Sequence, residues 1–150
     1  MSSPVEKILY RKAALIFEEL GFMLPCSDDA ACAEMASSAR VNFNGPFGGC
    51  LVVSVSSEIF PMLSENMLGS TDPDKKFLNH DALCEFANVI CGNALPDIYG
   101  VDHIFHLEAP ILSEGNGVSA LSSDYNKTAQ VRIGFNNGSA EITLFVKNGQ

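Results

Sequence analysis

The chain has 150 residues, 47% of them hydrophobic, and a formal net charge of −9. That is enough chain to bury one core, so a single domain over residues 1–150 is expected. So acidic a surface repels a duplex or an anionic lipid, which argues against nucleic-acid and membrane partners. No apolar run approaches the length that spans a bilayer. Residues 1–6 show no basic segment leading into an apolar one, and the five cysteines form no C-x-x-C pair. The expectation is a cytoplasmic protein with reduced thiols.

The first helix is marked at its start by Ser3 and Glu6, an S-x-x-E capping box, with Pro4 at the first helical position. Val5, Ile8, Leu9, Ala13, Ile16 and Leu20 come next at helical spacing, and Gly21 supplies the stop. Residues 25–37 read as a loop opening into a strand. Ala39, Val41 and Phe43 then alternate with polar residues, and Asn44 to Gly49 form a turn. Cys50 to Ser56 is apolar at nearly every position, as a central strand would be. A short helix is predicted over 57–68 and a longer one from 75–80 to about Leu95. Strands are predicted over 104–108, 117–123, 128–135 and 139–147, with Asn136-Asn137-Gly138 as a hairpin turn between the last two. The predicted class is α+β: an antiparallel sheet of about six strands with three helices packed on it.

The segment with chemical content is the second long helix. Asp81, Glu85, Asn88 and Gly92 stand at i, i+4, i+7 and i+11, which places them on one polar stripe. Leu83, Phe86, Ala87, Ile90 and Ala94 form an apolar stripe on another side. A solvated helix face is the simpler account of such a pattern. Two features go beyond it: Asn88 is a poor helix former at mid-helix, and Gly92 and Asn93 weaken the helix further within the same turn. A glycine on the outer stripe leaves room for another protein to approach.

The stripe resembles the signature of the CheC/CheX/FliY phosphatases: Asp or Ser, then Glu, then Asn, with a Pro further on. The matching residues are Asp81, Glu85, Asn88 and Pro110, the last within Glu108-Ala109-Pro110-Ile111-Leu112. Gly92-Asn93-Ala94 is similar to the residues just after the motif in CheX-like members, and Gly48-Gly49-Cys50-Leu51-Val52-Val53-Ser54-Val55 resembles the family's Gly-led strand. Only Glu85 among the glutamates has Asn three positions on. A single copy resembles CheX rather than CheC. Many CheX-like members carry Lys where this chain has Leu95, a difference expected to alter the partner surface.

The resemblance implies a phosphatase acting on the aspartyl phosphate of a CheY-like response regulator, in chemotaxis or a related two-component system. It casts Glu85 and Asn88 as the catalytic pair: Asn88 orients the attacking water and Glu85 pairs with a Lys of the regulator. An amide suits the first task, because it accepts and donates without repelling phosphoryl oxygens. Asp81 and Gly92 would touch the partner or help cap the helix. The implied partners are the phosphorylated regulator and a second copy of the chain, as a homodimer pairing through its sheet. No cofactor of its own is expected, Mg²⁺ being carried by the regulator. His80, His103 and His106 fit no metal-ligand pattern and read as surface histidines. The competing class is a catalytically silent docking or adaptor module that binds phosphorylated regulator or flagellar switch components; it has no need of a water-orienting amide.

Overall fold

The first helix, α1 (Pro4–Gly21), opens with the expected capping box. The Glu6 backbone N–H donates to Ser3 Oγ, and the Ser3 N–H donates back to Glu6 Oε1, both at 3.1 Å. These two bonds satisfy donors that a helix start otherwise leaves to solvent. The second oxygen, Oε2, accepts the backbone N–H of Gln130 at 3.1 Å, tying the helix start to the sheet. The structure, a computed structural model, describes residues 3–21, 35–59, 76–115, 124–135 and 138–147.

Two strands come next, β1 (Met35–Asn44) and β2 (Gly49–Ser56), and a single 3₁₀ turn spans Ser57–Ile59. The second helix, α2, runs Lys76–Tyr99, succeeded by β3 (His106–Leu107), β4 (Ile111–Glu114), β5 (Tyr125–Phe135) and β6 (Gly138–Lys147). The strands form one six-stranded sheet in the order β3-β1-β2-β6-β5, with β4 also on β1. Every pairing is antiparallel.

The α+β class and the six strands agree with the sequence reading; the count of three helices is not confirmed. Two α-helices are found among the described residues. Of the short helix predicted over 57–68, the described part is the 3₁₀ turn, and the rest lies outside the described residues, as does the strand predicted over 117–123. The second helix also continues past Leu95, through Pro96, to Tyr99. Packing explains the extension. Ile98 and Tyr99 lie against the core, and Tyr99 meets Phe47 edge to face with centroids 4.8 Å apart. The end comes at Gly100, whose φ of 101° only glycine adopts freely, with its N–H closing on the Pro96 carbonyl at 2.8 Å.

Both helices cover the same face of the sheet. Ala39, Val41 and Phe43 of β1, Leu51, Val53 and Val55 of β2, Ile142 and Leu144 of β6, and Val131 and Ile133 of β5 meet Leu9, Phe17, Leu83, Phe86 and Ile90 from the helices, all buried. Phe17 is central, with its ring 4.6 Å from Phe86 and 5.1 Å from Phe135. The opposite face holds a small apolar cluster of Cys50, Val52 and Phe145, next to buried polar groups. Ser38 and Ser54 bond one another at 2.7 Å, and the buried Glu141 carboxylate pairs with the exposed Arg132 at 2.8 Å. No helix among the described residues is long and apolar enough to cross a membrane.

Candidate functional site

The core-facing half of α2 decides what its other half presents. Ala82, Leu83, Phe86, Ala87, Ile90, Cys91, Ala94 and Leu95 are each at most 1% exposed. The rotation of the helix then turns Asp81, Glu85, Asn88 and Gly92 outward, and all four are exposed. Residues three and four apart on a helix are neighbours, about 5–6 Å between Cβ atoms. The carboxylate of Glu85 and the amide of Asn88 therefore stand side by side on a rigid, buried-backed element.

The placement differs from the sequence reading at two positions. Because α2 starts at Lys76, Asp81 lies inside its second turn and does not cap its start. Leu95 faces the core, so the replacement of a Lys there leaves no apolar side chain on the stripe. Cys84 sits half-buried beside the stripe. Its thiol is pushed up by burial and then by the Asp81 carboxylate, so it stays neutral. Cys91 and Cys50 are held at about 12 and about 11, chiefly by burial. His103 and His106 are exposed, while the His80 side chain lies outside the described residues. Among the described residues, no three His, Cys, Asp or Glu side chains gather where a metal ion would sit.

The edge of the sheet borders the stripe. A Cβ built on Gly92 would lie 3.7 Å from Leu107 of β3. Pro110 falls between β3 and β4, where the strand lining β1 is interrupted. The Phe43–Leu107 and Arg40–Ile111 pairs leave Glu108, Ala109 and Pro110 opposite only Val41 and Asn42. Proline has no N–H for the ladder, so it fits such a bulge. The segment is pinned to β1 by the Glu108 N–H on the Asn42 carbonyl at 2.9 Å and by Asn44 Nδ2 on Glu108 Oε2 at 3.1 Å. The sequence reading missed β4 as a strand. All four of its residues are exposed, so no alternation of apolar and polar side chains marks it.

The family model for chemotaxis phosphatase CheX matches residues 37–136, a span that holds the stripe, Pro110 and most of the sheet. The chain belongs to the CheX family. No curated protein matches the sequence. Solved structures with the same fold include the chemotaxis protein CheX of Vibrio vulnificus, at a TM-score of 0.77 and 14% identity, covering 97% of each chain. CheX of Desulfovibrio desulfuricans gives 0.74 and 16%, over 97% of this chain and 100% of that one. The complex of CheX with CheY, BeF3 and Mg²⁺ from Borrelia burgdorferi gives 0.67 and 11%, over 95% and 97%. At these identities the structures speak for the fold, whereas membership in the CheX family rests on the sequence match.

Proposed function

We propose that this CheX-family chain hydrolyses the aspartyl phosphate of a CheY-like response regulator, with Asn88 orienting the attacking water and Glu85 pairing with a Lys of the regulator. The supporting observation is that Glu85 and Asn88 are adjacent and exposed on a helix whose other side is locked in the core. The structure from Borrelia burgdorferi holds a CheX with CheY, BeF3 and Mg²⁺ on a similar fold.

The chemistry needs little more than placement. Phosphoryl transfer passes through a loose transition state, so positioning and electrostatics outweigh a strong base. The water oxygen forms a new bond to phosphorus as the bond to the aspartyl oxygen breaks, releasing inorganic phosphate and a free carboxylate. The Asn88 amide oxygen accepts a hydrogen bond from that water, while its nitrogen donates toward the phosphoryl group. Glu85, one turn away, fixes the register through a charge-assisted bond. In this scheme Mg²⁺ belongs to the regulator. Asp81 lies at the upstream end of the contact surface and Gly92 at the downstream end.

The test measures two quantities: phosphate release from phosphorylated CheY-like regulators of the same genome, and affinity for their BeF3–Mg²⁺ complexes. Catalytic turnover that depends on Asn88 supports the reading. Tight binding without turnover would make the chain an adaptor instead.

A further inference from the structure

Two residues weaken α2 within its exposed half, and each affects the same backbone group. Pro96 lies inside the helix, four positions after Gly92. Proline has no N–H, so the helical bond that the Gly92 carbonyl would ordinarily accept is missing. That carbonyl sits on the helix surface between residues 92 and 93, and both are exposed. A Cβ on Gly92 would meet only Leu107 Cδ1, at an ordinary contact distance of 3.7 Å. Alanine would therefore fit and would favour the helix, so among the described residues no contact accounts for the glycine.

Asn93 stands beside it. Its Nδ2 donates to the Val89 carbonyl at 2.8 Å, which anchors the amide along the helix. That bond uses the donor end and leaves Oδ1 outward as an acceptor. The downstream end of the stripe thus offers two neighbouring acceptors: the Gly92 carbonyl, to which Pro96 cannot donate, and Asn93 Oδ1. Asp81 and Glu85 add negative charge on the same face of a chain carrying −9 overall. Two acceptors in such a field match a group that brings several N–H donors and a positive charge.

We propose that the Gly92 carbonyl and Asn93 Oδ1 form a second anchoring point that accepts hydrogen bonds from a cationic side chain of the regulator, with Pro96 keeping the carbonyl open. The inference rests on the phosphatase reading and adds to it a contact that sets affinity and register while leaving the water to Asn88. These are positioning residues. Their loss raises KM and the dissociation constant and leaves kcat close to its starting value, because the contact is the same before and during phosphoryl transfer.

The experiment uses the full chain and the BeF3–Mg²⁺ complex of its regulator. Pro96→Ala restores the missing N–H and should raise the melting temperature while weakening binding about tenfold, the effect of one hydrogen bond to a charged group. Asn93→Ala should also weaken binding. Asn93→Asp, which makes the acceptor anionic, should tighten it, and weaker binding in that variant would overturn the cationic assignment. Unchanged affinity in Pro96→Ala beside an inactive Asn88→Ala would remove the anchor and leave the phosphatase reading intact. Normal turnover in Asn88→Ala would remove the water-orienting role of that residue, and absence of turnover in the unaltered protein would remove the phosphatase reading itself. If Pro96→Ala does not fold, the unaltered protein still decides. With labelled glycine carbonyls and asparagine amides, the Gly92 carbonyl resonance, read through the Asn93 amide, should move downfield when the regulator binds. A stationary resonance would refute the proposal.

Discussion

Replacing Asn88 with alanine should move stability and turnover in opposite directions. The Asn88 side chain is exposed and has no partner among the described residues. Its removal costs the fold no contact there, while alanine in mid-helix is better than asparagine by about 0.5 kcal/mol. For a domain of this size that gain raises the melting temperature by about 1–2 °C. Turnover should fall roughly 100-fold, about 2.7 kcal/mol of transition-state stabilisation, as when one preorganised polar group is lost elsewhere. Glu85→Ala should lower both rate and affinity, with folding changed by no more than about 0.5 kcal/mol, and Asp81→Ala should do less of each. The assay combines phosphate release, binding to the BeF3–Mg²⁺ regulator complex and a thermal melt on one preparation. Turnover near wild type in Asn88→Ala would refute the water-orienting role. A melting temperature several degrees lower would show that the stripe supports the fold, returning it to an ordinary solvated helix face.

Phe17→Ala removes the ring between Phe86 and Phe135 and should cost about 3–5 kcal/mol, read from denaturant unfolding. Glu6 is held below its ordinary 4.5, first by the Ser3 N–H and then by that of Gln130. Its contribution is therefore present above the ordinary carboxylate value and is lost as pH falls through the lowered one; Glu6→Gln should flatten the acid limb of a melting-temperature profile, and an unchanged limb would count against the bond. The sheet edges differ: the Gln130 N–H on β5 is taken by Glu6, whereas β4 is exposed along its length with Ile111 and Leu112 at 43% and 42%. A homodimer pairing through β4 is expected, and light scattering should show wild type as a dimer and Ile111→Lys as a monomer.

The sequence made some of this fold legible because the signals were local. Ser3, Pro4 and Glu6 carry their own capping chemistry, and the five residues Leu83, Phe86, Ala87, Ile90 and Ala94 repeat at a helical period that no strand would keep. Residues 35–38 were harder. Met35 to Ser37 read as the end of the loop over 25–37, yet β1 already starts at Met35, and Ser38 is buried in it because Ser54 on the neighbouring strand and the Gly115 carbonyl, at 2.6 Å, meet its hydroxyl. Such partners lie far along the chain and leave no periodic trace. Phe17 escaped the predicted apolar stripe for a related reason, since its burial depends on rings from α2 and β5. The end of α2 was misplaced because Pro96 normally signals a stop, and only tertiary contacts at Ile98 and Tyr99 override it. In the candidate site, residue identity and spacing were readable at Glu85 and Asn88. The inward turn of Leu95 and the closeness of β3 to Gly92 were not, since both depend on how the helix is rolled on the sheet.

The distribution of unfavourable residues along α2 is itself an argument about selection. Asn88, Gly92, Asn93 and Pro96 together disfavour the helix by about 5 kcal/mol relative to alanine. That is comparable with the whole stability of a small domain, about 5–15 kcal/mol. Three of the four are exposed and the proline is half-buried, so the core does not demand them. The opposite half of the helix shows the reverse: Ala82, Leu83, Ala87, Ala94 and Leu95 are strong helix formers, and with Phe86 and Ile90 all are buried. Burial of that half supplies the stability that the outer half gives up. A face kept solvated for solubility alone would use Glu, Lys, Gln or Arg, which favour the helix. A face carrying amide, glycine and a carbonyl without its N–H partner has the composition of a contact surface, and Glu85 and Asn88 lie at its centre.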